Sequence, residues 1–403
     1  MSDSNRRGIA RFVSCIRIIL VALSAMTLAW FSLPTTHLLA QTMDPKGAFE
    51  KQWDDLIDAA KKEGSVIIAS GGAPSRQYRP TVTAFEKKFG IKAQISSGSA
   101  IDTTNRILAE RRAGKFTTDV GLISIREHEQ RLVPSGSLTP LEPQLIYPDV
   151  VDVSNWFGGR HWYGDSQGKY VLIYHASIED SWKAWYNTDK ISEADIQTIK
   201  SQWDFFNPRW KGKIEGQGLG DPSGIRQMVN SWLAPDRGPK WVQTYLLDAG
   251  VTFSDDRRIL ETWLVGGRFP LKAVSLSEEE LRDLENNGIH IKQLHLDMER
   301  GALQASGSGC CISMFDKAPH PNAAKLFVNW FLSKEGQTLT HTTIPHLDRA
   351  TLRNDVPPGL AEPEHLRIPG KNYDFPDADA TVAALQLDAQ KQILNLWQSR
   401  PQR

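Results

Sequence analysis

The residues able to do chemistry in this chain are scattered along it. There are ten His among 403 residues, but no H-E-x-x-H and no P-loop pattern. His295 lies in a His-Leu-Asp stretch that alternates like a strand, and His320 stands between two prolines where a helix begins. His295 reads as a surface residue, and His320 as one that satisfies a local hydrogen bond. Cys310 and Cys311 are adjacent, which fits neither a zinc site nor a C-x-x-C pair. They read as two small buried residues of a strand, with a vicinal disulfide as the alternative in an oxidising compartment. No cofactor or metal pattern is present, so the chemistry to expect is recognition rather than bond-making.

The recognition candidates are small and polar. Ser70 and Gly71 end an apolar run, and Ser75 and Arg76 follow in the next loop. Ser124 follows the apolar run Asp119–Ile123. Asp221, Ser223 and Gly224 belong to a Gly-Asp-Pro-Ser-Gly turn. Small residues at the carboxyl ends of parallel strands let a ligand approach the backbone, and helix amino termini there favour an anion. Arg76 offers a bidentate fork for a carboxylate or phosphate, with Arg226 and Arg268 as weaker versions. Tyr163, beside Trp162, offers a ring for stacking. Each has a plainer reading: a tight turn at Gly71, a helix start at Asp221-Pro222-Ser223, a solvated Arg76, packing at Tyr163.

The elements that would position these residues are legible. Trp53, Leu56, Ile57 and Ala60 share a helical face that ends at Gly64. Ser65–Ser70, Ile91–Ile95 and Asp119–Ile123 read as buried strands with helices between them, hence a parallel sheet with right-handed crossovers. An aromatic, glycine-rich stretch from Trp156 to Gly164 and a strand at Tyr170–Tyr174 mark a place for the chain to cross to a second lobe. Gly307–Phe315 would bring it back. Pro321–Gly336 reads as an amphipathic helix with Ala324, Phe327, Val328 and Phe331 inward. A last amphipathic helix would bury Leu385, Leu387, Ile393 and Leu396.

Length favours two lobes. Lys+Arg and Asp+Glu both number 47, so no basic excess argues for nucleic acid. Arg6, Arg7, Arg11 and Arg17 precede an apolar run from Ile18 to Leu33, and Leu38-Leu39-Ala40 offers a cleavage point. Residues 1–40 therefore read as a signal peptide, and the mature chain as periplasmic.

Several segments together resemble bacterial periplasmic solute-binding proteins of ABC importers, in the iron(III)-type and related group. They are W-D-D-L-I-D-A-A-K-K-E-G from Trp53, R-I-L-A-E-R-R-A-G-K from Arg106, and Thr118-Asp119-Val120. They continue with Tyr186-Asn187-Thr188-Asp189, Trp203-Asp204, Asn207–Ile214, Asp221-Pro222, and A-P-H-P-N-A-A-K-L-F-V-N-W-F-L-S-K-E-G-Q from Ala318. The resemblance implies a type II periplasmic-binding-protein-like α/β fold. Each lobe would be a mainly parallel sheet flanked by helices, the two joined by crossover hinge strands. The expected division is 45–162 with 306–342, and 163–305 with 343–403. It also implies a monomer that closes on a small-molecule ligand and delivers it to an inner-membrane permease; presentation to a sensor kinase is the alternative.

Iron-binding relatives carry a His after the first strand, a Glu after the third and a Tyr-Tyr pair in the second lobe. Here the first loop is Gly-Gly-Ala-Pro-Ser-Arg, Ser124 stands where the Glu would fall, and no two tyrosines are adjacent. Iron(III) prefers such hard ligands, so the expected cargo is a small organic anion.

Overall fold

The computed structural model describes residues 45–71, 75–273, 284, 286–305, 309–343, 349–357, 359, 366–378 and 380–400. The expected signal peptide, residues 1–40, lies outside them. Among the described residues no helix is long and apolar enough to cross a membrane.

Two seven-stranded sheets carry helices on their faces. Helix α1 (Pro45–Glu63) ends at Gly64, whose φ of +74° takes the left-handed conformation that terminates helices. Next come β1 (Ser65–Gly71), α2 (Ser75–Phe89), β2 (Lys92–Gly98), α3 (Ala100–Arg112) and β3 (Val120–Leu122). With β4 (Leu138–Thr139), β5 (Trp162–Tyr163), β6 (Leu172–Ile173) and β12 (Cys311–Phe315), these strands form the first sheet, in the order β2-β1-β3-β12-β6-β5 with β4 beside β12. The second sheet contains β7 (His175–Asn187), β8 (Ile214–Gln217), β9 (Thr252–Ser254), β10 (Leu271–Lys272), β11 (Ile291–Gln304) and β14 (Tyr373–Asp374). Its order is β14-β11-β7-β10-β8-β9, with β13 (Ala350–Thr351) paired to β7. Tyr163 and the strand after it thus sit in the first sheet, and the chain reaches the second only at β7.

Strand direction decides where a ligand can approach. β1 runs parallel to β2 and β3, whereas β12 is antiparallel to β3 and to β6. β6 therefore runs with β1–β3, and its carboxyl end passes through Tyr174 into β7. In the second sheet β10 is antiparallel to β7, and β8 and β9 run with β10. Because β7 departs from the first sheet, the carboxyl ends of β8, β9 and β10 point back toward it. Both sheets thus turn their carboxyl edges to the crossover, the edge at which open α/β sheets bind ligands.

The helix beginning at Pro321 differs from its sequence reading. Helix α6 (Pro321–Leu332) buries nine of its twelve residues, so it is a core helix with scarcely a polar face. Phe327 and Phe331 stack at 5.6 Å, and Phe85 meets Phe327 edge-on at 5.1 Å. Each such ring contributes roughly 1.5–3 kcal/mol by leaving water. The helix stops at Ser333, not Gly336. Ser333 turns extended, its hydroxyl donates to Trp330 O, and α7 (Lys334–Thr343) begins at once. Gly336 lies inside α7, where a Cβ would come within 2.3 Å of Trp330 O. It is a close-approach glycine, not a stop.

The final helix, α8 (Ala380–Gln398), also differs. Ala389 and Ile393 are buried, but Leu385 and Leu387 are 52% and 63% exposed. Period alone cannot tell which side of a helix meets the protein.

Candidate functional site

The carboxyl edge of the first sheet is built from tight packing. Ser70 is fully buried, and a Cβ on Gly71 would approach Ile123 Cγ2 at 3.0 Å and Ala100 Cα at 3.2 Å. Gly71 is thus required by neighbouring backbone. Ser75 and Arg76 open α2, but their side chains lie outside the described residues. Ser124 is half-buried and caps the short helix Ile125–Glu127 through its hydroxyl. Its carbonyl lies 2.9 Å from His128 Nδ1, and Ser313 Oγ lies 2.8 Å from His128 Nε2. Burial disfavours the charged imidazole and lowers its pKa from 6.5 to about 4. Tyr163 lies in edge strand β5; its hydroxyl is buried without a hydrogen-bond partner, and burial pushes the phenol to about 12.

In the second sheet the edge carries helix starts. Asp221 caps α4 (Pro222–Leu233), accepting from Ser223 N at 2.7 Å and from the Ser223 hydroxyl, which lowers its pKa. Gly224 presses on Gly218: a Cβ there would sit 2.3 Å from Gly218 O. Asp256 caps α5 (Arg257–Val265). The amino termini of α4 and α5 are therefore already answered by their own carboxylates. Arg268 stands apart. It precedes β10 at the strand's amino end, away from the crossover, stacked over Trp263 and Phe269 at 5.4 Å each. The structure brings Ser70, Gly71 and Ser124 to one edge and Asp221, Ser223 and Gly224 to the other, and leaves Arg268 outside.

Sequence reading missed a cluster where the chain crosses between sheets. The hydroxyls of Tyr78 and Tyr174 are 2.8 Å apart, and both reach Gly309 O. Burial raises both phenols, and the positive charge of Arg349 opposes the rise. Arg349 also lowers the imidazole of His175, which is 1% exposed, although burial contributes more. Tyr174 N donates to Cys310 O at 3.1 Å. Cys310 and Cys311 are joined in a disulfide and fully buried, so the alternative reading of this pair holds rather than two free thiols. The signal for this cluster was not local: Tyr78, Tyr174, Gly309 and Arg349 span 271 residues of sequence and meet only because three chain passages cross there.

A fold of two sheets with opposed carboxyl edges defines a two-lobed periplasmic-binding-protein architecture. Residues 81–268 match the bacterial extracellular solute-binding protein family. Among solved structures, a Trichodesmium protein (IdiA, FutA) in complex with iron and citrate is similar, at 15% identity and a TM-score of 0.53, over 83% of this chain and 99% of that one. An ABC transporter protein from Clostridium perfringens is similar at 16% identity and a TM-score of 0.53, over 83% and 98%. No curated protein matches the sequence. The chain therefore resembles bacterial extracellular solute-binding proteins over residues 81–268 and shares the fold of the solved structures.

Proposed function

We propose that this solute-binding protein captures a small organic anion between its two lobes and hands it to an inner-membrane permease. One lobe would comprise the first sheet with α1–α3, α6 and α7, and the other the second sheet with α4, α5 and α8. The observation that carries the anionic reading is Arg349, whose charge acts on Tyr78, Tyr174 and His175 at the crossover. The amino terminus of α2 adds a positive dipole end on the same edge as β1. Ser124, at the position a Glu would need for iron, spends its hydroxyl on a helix cap. Lobe closure over the ligand would produce the form the permease reads.

Isothermal titration of the mature protein against dicarboxylates, sugar phosphates and ferric ion tests this. Saturable binding of at least one organic anion is expected. Tight binding of ferric ion with no response to any anion overturns it.

A further inference from the structure

A pocket of about 420 Å³ lies beside the crossover, lined largely by the C-terminal segment between Ala350 and Tyr373. Its walls include Phe157, His341, Thr351, Arg367, Ile368 and Tyr373. None of the residues that end β1–β3 or β8–β10 line it, so its walls differ from the edge residues described above. Its walls come from both sides of the crossover. Tyr373 belongs to β14, paired to β11, and Thr351 belongs to β13, paired to β7, while His341 belongs to α7.

The chemistry of the pocket is uneven. Arg353 also reaches it, but its guanidinium is held by Asp355 through two contacts of 2.8 Å and is fully buried. Arg367 has no such partner among the described residues. It donates to Thr351 O at 2.7 Å and lies over the Phe157 ring at 5.2 Å, and burial disfavours its charge. Backbone carbonyls satisfy some of its protons but carry no counter-charge. His341 is 2% exposed, and its Nε2 has no hydrogen-bond partner. The remaining wall is apolar and aromatic. A half-buried cation, an unanswered imidazole nitrogen and a ring surface around one cavity are the complement of a flat molecule bearing one negative charge.

We propose that this pocket is a second ligand site, taking a small aromatic or aliphatic monocarboxylate. The carboxylate meets Arg367, and the apolar body lies against Phe157 and Tyr373. Because the walls belong to both sides of the crossover, the occupant touches both halves of the molecule.

The test is titration of the mature protein with 4-fluorobenzoate, followed by fluorine NMR, in four versions: unaltered, Arg367→Gln, Arg367→Lys and Ile368→Trp. Saturable binding is expected in the unaltered protein. It should weaken at least tenfold in Arg367→Gln, recover in part in Arg367→Lys, and be blocked by the indole of Ile368→Trp, whose position is 48% exposed and tolerant of bulk. Thermal unfolding confirms that each variant folds; should Arg367→Gln not fold, Ile368→Trp alone decides. An Arg349→Gln variant should bind the probe as the unaltered protein does. Absence of saturable binding, equal binding in Ile368→Trp, or loss on Arg349→Gln would overturn the proposal, the last by moving the probe to the interlobe edge.

Discussion

His320 Nδ1 donates to Asp119 Oδ2 at 2.9 Å, and His320 Nε2 lies 3.0 Å from Ser65 Oγ. The three residues thus stand in the order of a Ser-His-Asp relay. Their position argues for a different role. Ser65 begins β1 and Asp119 directly precedes β3, at the amino ends of the parallel strands and away from the crossover. The buried Asp119 carboxylate also accepts from Ile67 N at 2.7 Å and from His320 N at 2.8 Å. It ties β1 and β3 to the start of α6.

Asp119→Asn should therefore act on stability. An amide nitrogen would face a donor that now meets an oxygen, and loss of this buried network should cost about 2–4 kcal/mol. Chemical denaturation measures this, with ligand affinity unchanged. A serine-directed phosphonate should leave Ser65 unlabelled; labelling would revive the relay.

Two buried imidazoles set an acid limit. His128 and His341 are both lowered to about 4 by burial, from an ordinary 6.5. The unfolded chain takes up protons near 6.5, while the folded chain resists until about 4. Their stabilisation is complete above pH 6.5 and is lost as pH falls toward 4. Denaturation midpoints across that window should fall, and His128→Gln should flatten part of the slope.

Glu215 works in the opposite sense. It is fully buried in β8, with Lys272 opposite it in β10, and neither carboxyl oxygen has a hydrogen-bond partner. Burial raises its pKa from 4.5 to about 8, against a lesser opposing pull from Lys272. Its contribution is complete below pH 4.5 and declines as pH rises through about 8. Glu215→Gln should remove that decline between pH 4.5 and about 8 in pH-dependent unfolding.

Gly224→Ala should be costly for its size. The new methyl would meet Gly218 O at 2.3 Å, backbone against backbone, with no flexible side chain to yield. A loss of about 1–3 kcal/mol is expected, together with weaker ligand binding if α4 shifts at the cleft edge. An unchanged melting temperature would show that the turn relaxes freely.

Ligand binding should separate Arg349 and Arg76 from Arg268. Arg349→Gln and Arg76→Ala should each weaken the anion by ~1.5–3 kcal/mol if its charge is met directly, and Arg268→Gln should have no effect. Small-angle scattering should show a smaller radius of gyration on saturation. An unaltered profile would count against closure.

The parallel run of β1, β2 and β3 was legible because each strand is a short apolar run between helices with their own periodicity. The helix at Pro321 was legible for the same reason. Its end was not. Gly336 has the residue type of a stop, but Ser333 supplies the turn, and only the contact with Trp330 O explains the glycine. Leu385 and Leu387 fit the period of a buried face yet lie in solvent, because nothing local says where the neighbouring helix stands.

The site divides in the same way. Sequence by itself determined the α/β class and the helix-capping role open to Asp221 and Ser223, because these depend on residues close together in the chain. Tertiary structure decided that Arg268 lies at the wrong end of its strand, and that Arg349 stands at the crossover with Tyr78 and Tyr174. Strand direction and the pairing of distant passages set those facts, and neither is encoded in any short stretch of residues.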